Sequence, residues 1–241
     1  MAQYDFSIID NCLKCAFREE RLFCGVSDDA LKALQSVKAT SVYPKGTLLC
    51  LEGQPPRGIF ILCTGRAKLF TTSSEGKTII LRIAEPGEVL GLTAVIGESP
   101  YEATVETIEP SQANFISRKD FLHFIEEHSE VGMKVAQQLT HNCKCAYDGI
   151  RSLGLSSSVP EKIAKLLLRW AEHPLNLARR DSPGIAIRVT LTQEEIAQLT
   201  GTSRETVSRV LAEFKKNGWL RIKGATWFLL KKEALQKLVT T

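Results

Sequence analysis

Four polar residues near the C-terminus carry side chains suited to reading the edge of a base pair. They are Arg204, Glu205, Ser208 and Arg209. Their spacings place them together on one face of a helix. Arginine can donate two parallel hydrogen bonds to guanine O6 and N7, glutamate can accept from cytosine N4, and serine can reach a phosphate or a base edge. An isolated Arg–Glu pair is usually only a solvated surface pair, so the surrounding elements decide the interpretation.

The surrounding residues predict two helices joined by a tight turn. The sequence TQEE at 192–195 fits a capping box that begins a short helix. Gly201 supplies the turn, Thr202 or Ser203 caps the second helix, and Gly218 marks its end. One apolar stripe, opposite the four polar residues, is predicted at Val207, Val210, Leu211 and Phe214.

A short hairpin is predicted after the second helix. WLRIK at 219–223 and TWFLL at 226–230 flank Gly224, and Arg221 and Lys223 on this hairpin are suited to phosphate contacts. The ordered series predicts a winged helix-turn-helix that binds double-stranded DNA. The predicted contacts are Thr202, Ser203, Arg204, Glu205, Thr206, Ser208, Arg209, Arg221 and Lys223.

The charge distribution agrees with a polyanionic partner. The net charge is only +4, but residues 160–241 hold 15 Lys and Arg against 8 Asp and Glu, whereas residues 1–159 hold 16 against 19. The chain has neither a phosphate-binding glycine loop nor a nucleophile elbow, so we expect no enzyme. It also lacks a leader and any apolar run of roughly 18 residues, which predicts a cytoplasmic protein without a membrane partner.

The first half of the chain has a different pattern. Between residues 29 and 125, short apolar runs such as IFILC at 59–63 and TIILRI at 78–83 are separated by glycines. Short strands at this spacing, with turn signals between them, predict an all-β sandwich or barrel.

A long helix is predicted over residues 126–157, because apolar residues recur in steps of three and four, the spacing of a coiled-coil seam. The predicted homodimer interface is Ala136, Leu139, Cys143, Ala146, Ile150 and Leu153. The expected fold class is therefore α+β, with an N-terminal arm (1–28), a β domain (29–125), a dimerisation helix (126–157) and a winged helix-turn-helix domain (158–241).

The chain resembles the Crp/Fnr superfamily of bacterial transcription regulators. The resemblance rests on YPKG at 43–46, PGEVLG at 86–91, LTQEEIAQL at 191–199 and GTSRETVSR at 201–209. It implies that the β domain (29–125) is an N-terminal β jelly roll that serves as the effector domain. It also implies a dimer that binds palindromic DNA under allosteric control by this domain, with RNA polymerase as a further partner. The second helix of the predicted pair, which carries Arg204, Glu205, Ser208 and Arg209, is called the reader helix. It is similar to two branches of the family, and Arg204 favours TGTGA-like half-sites over TTGAT.

The resemblance gives two expectations about the signal. The cyclic-nucleotide branch holds its ligand with a glutamate and an arginine, but here the matching stretches are GLT at 91–93 and YEA at 101–103, and no arginine lies between Arg82 and Arg118. Without the guanidinium the phosphate loses its bidentate contact, so we expect no cyclic AMP. A cyclic-nucleotide-responsive regulator, or a sensory module that does not bind DNA, is the alternative.

The second expectation concerns the arm. Cys12, Cys15 and Cys24 are similar to the iron–sulfur arm of Fnr-type oxygen sensors, and in a cytosolic chain they are better interpreted as thiols or metal ligands than as disulfides. The family's fourth ligand position falls at Asn114. One of the remaining cysteines (Cys50, Cys63, Cys143 or Cys145) would have to replace it. A [4Fe–4S] cluster, zinc, a thiol redox switch and no cofactor all stay open.

Overall fold

The computed structural model describes residues 8–156, 158–172 and 184–239. The chain divides into two compact units, Met1–Ala146 and Tyr147–Thr241. Strands dominate the first unit and helices the second. Across the described residues, no helix has both the length and the apolar character needed to cross a bilayer.

The first unit contains two four-stranded antiparallel sheets. One has the order β1-β8-β3-β6 and the other β2-β7-β4-β5. The strands are β1 (Ala39–Tyr43), β2 (Leu48–Cys50), β3 (Gly58–Thr64), β4 (Ala67–Thr72), β5 (Thr78–Ala84), β6 (Val89–Leu90), β7 (Thr104–Thr107) and β8 (Ser111–Ser117). Strands distant in sequence are neighbours in both sheets, as in a jelly roll, so the predicted β architecture is confirmed.

Three helices interrupt the region that the sequence pattern assigned to strands. They are α1 (Asp28–Val37), α2 (Leu92–Ile96) and α3 (Arg118–Glu127). The Ser27 side chain caps α1 by accepting from the Ala30 N–H at 3.2 Å. Leu31 and Leu34 of this helix are buried in one cluster with Phe23 and other residues. Three turns or fewer give too short a periodic signal to separate a buried helix from a strand.

The long helix is present as α4 (Ser129–Leu155). It begins directly after α3, and a buried row at Val131, Val135 and Gln138 faces the first unit. Gln138 donates to the Asn142 Oδ1 at 3.1 Å, and Asn142 in turn accepts from Arg82. The N-terminal half of the helix is therefore fixed to the sandwich by both apolar packing and a polar network.

The second unit contains the predicted pair of helices and hairpin. Its elements are α5 (Val159–Glu172), β9 (Ile185–Arg188), α6 (Gln193–Thr200), α7 (Arg204–Lys216), β10 (Leu220–Lys223), β11 (Thr226–Leu229) and α8 (Lys232–Val239). The hairpin β10–β11 gains a third strand, β9, which the sequence pattern did not predict. The predicted stripe at Val207, Val210, Leu211 and Phe214 is buried, which confirms the orientation of α7.

Candidate DNA-binding and effector sites

The turn between α6 and α7 is fixed by local hydrogen bonds. Thr192 and Glu195 form a complete capping box at the start of α6. Gly201 follows with φ of 63°, the left-handed conformation that glycine adopts most readily. The Ser203 Oγ accepts from the Thr206 N–H at 3.3 Å, so Ser203 is the N-cap of α7. Thr202 instead donates its N–H to the Ala197 carbonyl at 3.0 Å and completes the turn.

The capped helix presents the four predicted readers to solvent. Arg204, Glu205, Ser208 and Arg209 are all exposed, and they lie on the side of α7 opposite its buried stripe. Apolar packing of one face thus dictates which residues the other face offers.

Glu205 is held in its charged form at the N-terminus of α7. Its pKa is lowered by a hydrogen bond from its own backbone N–H, then by the Ser203 hydroxyl, with a smaller contribution from the Arg204 charge. A charged carboxylate can accept from a cytosine amine, so Glu205 is suited to base recognition.

The hairpin β10–β11, or wing, follows the reader helix in the chain and carries two further cations. Arg221 pairs across the hairpin with Phe228, and its guanidinium carbon lies 4.7 Å from the centre of that ring. Lys223 lies at the tip, paired with Thr226, and both cations are exposed. The aromatic contact orients Arg221 without removing it from solvent. A helix with base-reading side chains and a cationic wing can bind the major groove and the adjacent phosphates.

The arm cysteines lie against the first unit. Cys12 begins a short 3-10 turn (Cys12–Lys14) and packs at the edge of the apolar cluster that contains Phe23. The Asn114 Nδ2 lies 4.0 Å from the Cys12 Sγ and 3.2 Å from the Cys63 Sγ. Cys15 and Cys24 are half-buried. In the part of the chain that the structure describes, no three metal-binding side chains are grouped to hold an ion as they stand.

The stretch that matches the cyclic-nucleotide site is lined by apolar groups and a tyrosine. Leu92, in place of the expected carboxylate, is 1% exposed. The Tyr101 hydroxyl donates to the Gly58 carbonyl at 2.7 Å, and the Tyr101 ring lies beside Gly91, where an added Cβ would approach it to 2.8 Å. Leu92 and Tyr101 supply no charged group for a ribose or a phosphate, and Glu102 of the same stretch would repel a phosphate. These residues therefore do not fit the ligand contacts that the resemblance implies.

The predicted dimer seam remains mostly accessible in the single chain. Ala136, Cys143, Ala146 and Ile150 are exposed, and Leu139 and Leu153 are half-buried. An apolar side chain such as Ile150, 66% exposed on a long helix, is the kind of residue that a second helix would cover.

Comparison with known proteins agrees with this division. Residues 40–128 match the family model "Cyclic nucleotide-binding domain", and residues 161–238 match "Crp-like helix-turn-helix domain". The fold and these two matches define a DNA-binding regulator with a β domain of the cyclic-nucleotide-binding type. The chain belongs to the Crp/Fnr family of transcription regulators.

Two curated relatives cover most of the chain. The CRP-like cAMP-activated global transcriptional regulator of Mycobacterium tuberculosis is 30% identical over 218 residues, which are 90% of this chain and 95% of that protein. The cyclic AMP receptor protein of Thermus thermophilus is 26% identical, over 83% and 88% of the two chains.

Two solved structures share the fold. A CRP-family transcriptional regulator from Thermus thermophilus has a TM-score of 0.70 and 25% identity, covering 83% of this chain and 97% of its own. The c-di-GMP responsive global regulator of Xanthomonas campestris has a TM-score of 0.74 and 19% identity, covering 85% and 100%. These relatives are transcription regulators rather than enzymes, which confirms the prediction that the chain is not an enzyme.

Proposed function

We propose that the protein acts as a homodimer that binds palindromic DNA with TGTGA-like half-sites. The observation that carries this proposal is the capped helix α7, which buries one face and exposes Arg204, Glu205, Ser208 and Arg209 on the other. Arg204 supplies the bidentate donor for a guanine, and Glu205 supplies a charged acceptor for a cytosine.

The dimer is supported by the apolar residues left exposed along α4. Two parallel copies would bury this seam and present two reader helices to half-sites about one DNA turn, or 34 Å, apart. In this arrangement the arm (1–28) and jelly roll (29–125) control the helix (126–157), which in turn positions the DNA-binding domain (158–241). RNA polymerase is the proposed partner at promoters, and the cytoplasm the proposed location.

For the effector, we infer that cyclic AMP is not the ligand, although the names of curated relatives refer to it. The support is Leu92 and Tyr101 at the matching positions and the lack of a guanidinium between Arg82 and Arg118. The arm cysteines Cys12, Cys15 and Cys24 are the proposed input, as ligands of a [4Fe–4S] cluster or zinc, or as redox-active thiols.

A mobility shift with a palindromic TGTGA probe tests the proposal. We expect specific binding that weakens steeply as the salt concentration rises, because phosphate contacts release counterions. Adding cyclic AMP should leave the affinity unchanged. Failure to distinguish this probe from a scrambled duplex at any salt concentration would refute sequence-specific reading, and a large gain in affinity with cyclic AMP would restore the cyclic-nucleotide alternative.

A further inference from the structure

One buried cysteine lies at an irregularity in the pairing of β3 with β8. Leu62 lies opposite Ala113 and Thr64 opposite Gln112, so Cys63 has no partner residue in the ladder. Bulges of this kind are common beside functional sites. The Cys63 side chain is buried, and its Sγ accepts from the Asn114 Nδ2 at 3.2 Å.

The arm is held against the same face of the sheet by specific hydrogen bonds. The Gln112 side-chain amide bonds both backbone groups of Ile9, at 2.8 and 2.7 Å. Gln35 accepts from the Cys12 N–H at 3.1 Å and donates to the Asp10 carbonyl at 2.8 Å. These contacts bring the Cys12 Sγ to 4.0 Å from the Asn114 Nδ2. Because the Cys12 Sγ and the Cys63 Sγ both lie near the Asn114 Nδ2, the distance between the two sulfurs cannot exceed the sum of their distances to this nitrogen.

The other two arm thiols lie in the same region. The Cys15 N–H donates to the Cys12 carbonyl at 3.3 Å, so these two cysteines belong to one short turn. Cys24 directly follows Phe23, which is buried in the same apolar cluster that Cys12 packs against. Cys15 and Cys24 therefore lie in the same part of the first unit as Cys12.

We propose that Cys63 is the fourth ligand of a site formed with Cys12, Cys15 and Cys24, which binds a soft metal centre through four thiolates. On ligation each thiol releases its proton to solvent and its sulfur bonds to the metal. Four thiolates suit a [4Fe–4S] cluster or a tetrahedral zinc ion. Because the thiols are near one another without being closed on a common point, binding draws the short arm turn onto the bulge.

The other cysteines outside the arm lie elsewhere. Cys50 belongs to β2, in the opposite sheet, where it interacts with Tyr101. Cys143 and Cys145 lie on α4, with Cys143 exposed. Cys50 is buried as deeply as Cys63, with 3% and 6% of the two residues exposed. It is therefore a matched control for the loss of one buried thiol.

The experiment measures metal uptake by the full-length chain without DNA. Purified protein is incubated anaerobically with ferric iron, sulfide and a thiol that reduces part of the iron to the ferrous state, or separately with zinc. Metal per chain and visible absorption are recorded. We expect about four iron atoms or one zinc ion per chain. Cys63→Ser should lower retained metal by at least about tenfold, whereas Cys50→Ser should bind as the wild type does.

Each outcome is decisive. Uptake of iron with absorption near 400 nm identifies a cluster, and uptake of zinc alone identifies a zinc site. The proposal is overturned if Cys63→Ser retains as much metal per chain as the wild type, or if the wild type takes up neither iron nor zinc. Cys63→Ala, which suits the apolar surroundings, repeats the test should the serine variant unfold, and circular dichroism checks both. This inference rests on the proposed regulator for its role, but failure here would leave the mobility shift with DNA unchanged.

Discussion

At the residue scale, the predicted DNA contacts divide into two groups. The Ser203 and Thr206 side chains are engaged with each other and with the cap of α7, their oxygens 3.1 Å apart. We therefore expect their contribution to DNA binding to be the fixed start of the helix. We expect base discrimination to fall to the exposed side chains of Arg204 and Glu205 and, one turn further along α7, of Ser208 and Arg209.

Replacement of Arg204 by alanine tests base reading directly. We expect the variant to lose preference at one G·C pair of each half-site and to bind roughly 1–3 kcal/mol more weakly, because a bidentate contact to guanine is removed. Binding-site selection from a randomised duplex measures the change. An unaltered base preference would contradict the assignment.

Lys223 provides the matched comparison, since it is exposed at the wing tip and is assigned to phosphate rather than to bases. Lys223→Ala should weaken binding to all sequences equally and reduce the slope of log affinity against log salt by about 1. The two variants thus separate base recognition by Arg204 from sequence-independent phosphate contact by Lys223.

At the scale of elements, Gly201 controls the geometry of the helix-turn-helix. An alanine there would adopt a left-handed φ and bring its Cβ to 3.0 Å from the Leu153 Cδ2. We expect Gly201→Ala to lower the free energy of unfolding by about 1–2 kcal/mol from backbone strain alone. All three tryptophans, Trp170, Trp219 and Trp227, belong to the second unit, so their fluorescence reports its urea unfolding.

Gly218 is the control for this prediction. It has a similar φ, 67°, but no atom lies within 4 Å of an added Cβ. Gly218→Ala should therefore show only the backbone cost, and the additional loss in Gly201→Ala measures the contact with Leu153. If Gly201→Ala were as stable as the wild type, or more stable, the turn would not constrain the backbone at this position.

The long helix allows a second test at this scale. Ile150→Asp should convert the dimer to monomer, because two carboxylates would face each other in the seam, at a cost on the order of a hundredfold in dimer dissociation constant. Since Ile150 is 66% exposed in the single chain, the fold itself should persist. Sedimentation equilibrium measures the change. Lys144→Asp, exposed and outside the seam, should remain dimeric; an equally dimeric Ile150→Asp would exclude this face.

At the scale of the whole molecule, the spacing of half-sites is the testable property. A dimer with two-fold symmetry should require half-site centres about 34 Å apart. Adding about half a helical turn between the half-sites places them on opposite sides of the duplex. Affinity should then fall to the non-specific level in a mobility shift. Inserting a full helical turn instead of half a turn should not restore the affinity unless the linkage between the two α7 helices of the dimer is flexible.

Much of the DNA-binding unit followed from the sequence because its determinants are local. The capping box at Thr192, the turn at Gly201 and the period of the Val207 stripe act within one or two helical turns. The jelly roll was predictable as strands and turns, but α1 was not, since its short apolar pattern resembles a buried strand. The strand β9 was also missed, because only pairing with β11 makes four residues a strand.

The sequence alone determined the family, the reader face of α7 and the three cysteines of the arm, since each depends on residue types at fixed short spacing. Only the tertiary structure decided which further cysteine lies near Cys12. The choice of Cys63 depends on a bulge between β3 and β8, on Asn114 from the neighbouring strand and on an arm docked by Gln112. These groups are separated by up to about a hundred residues along the chain, and no local spacing connects them.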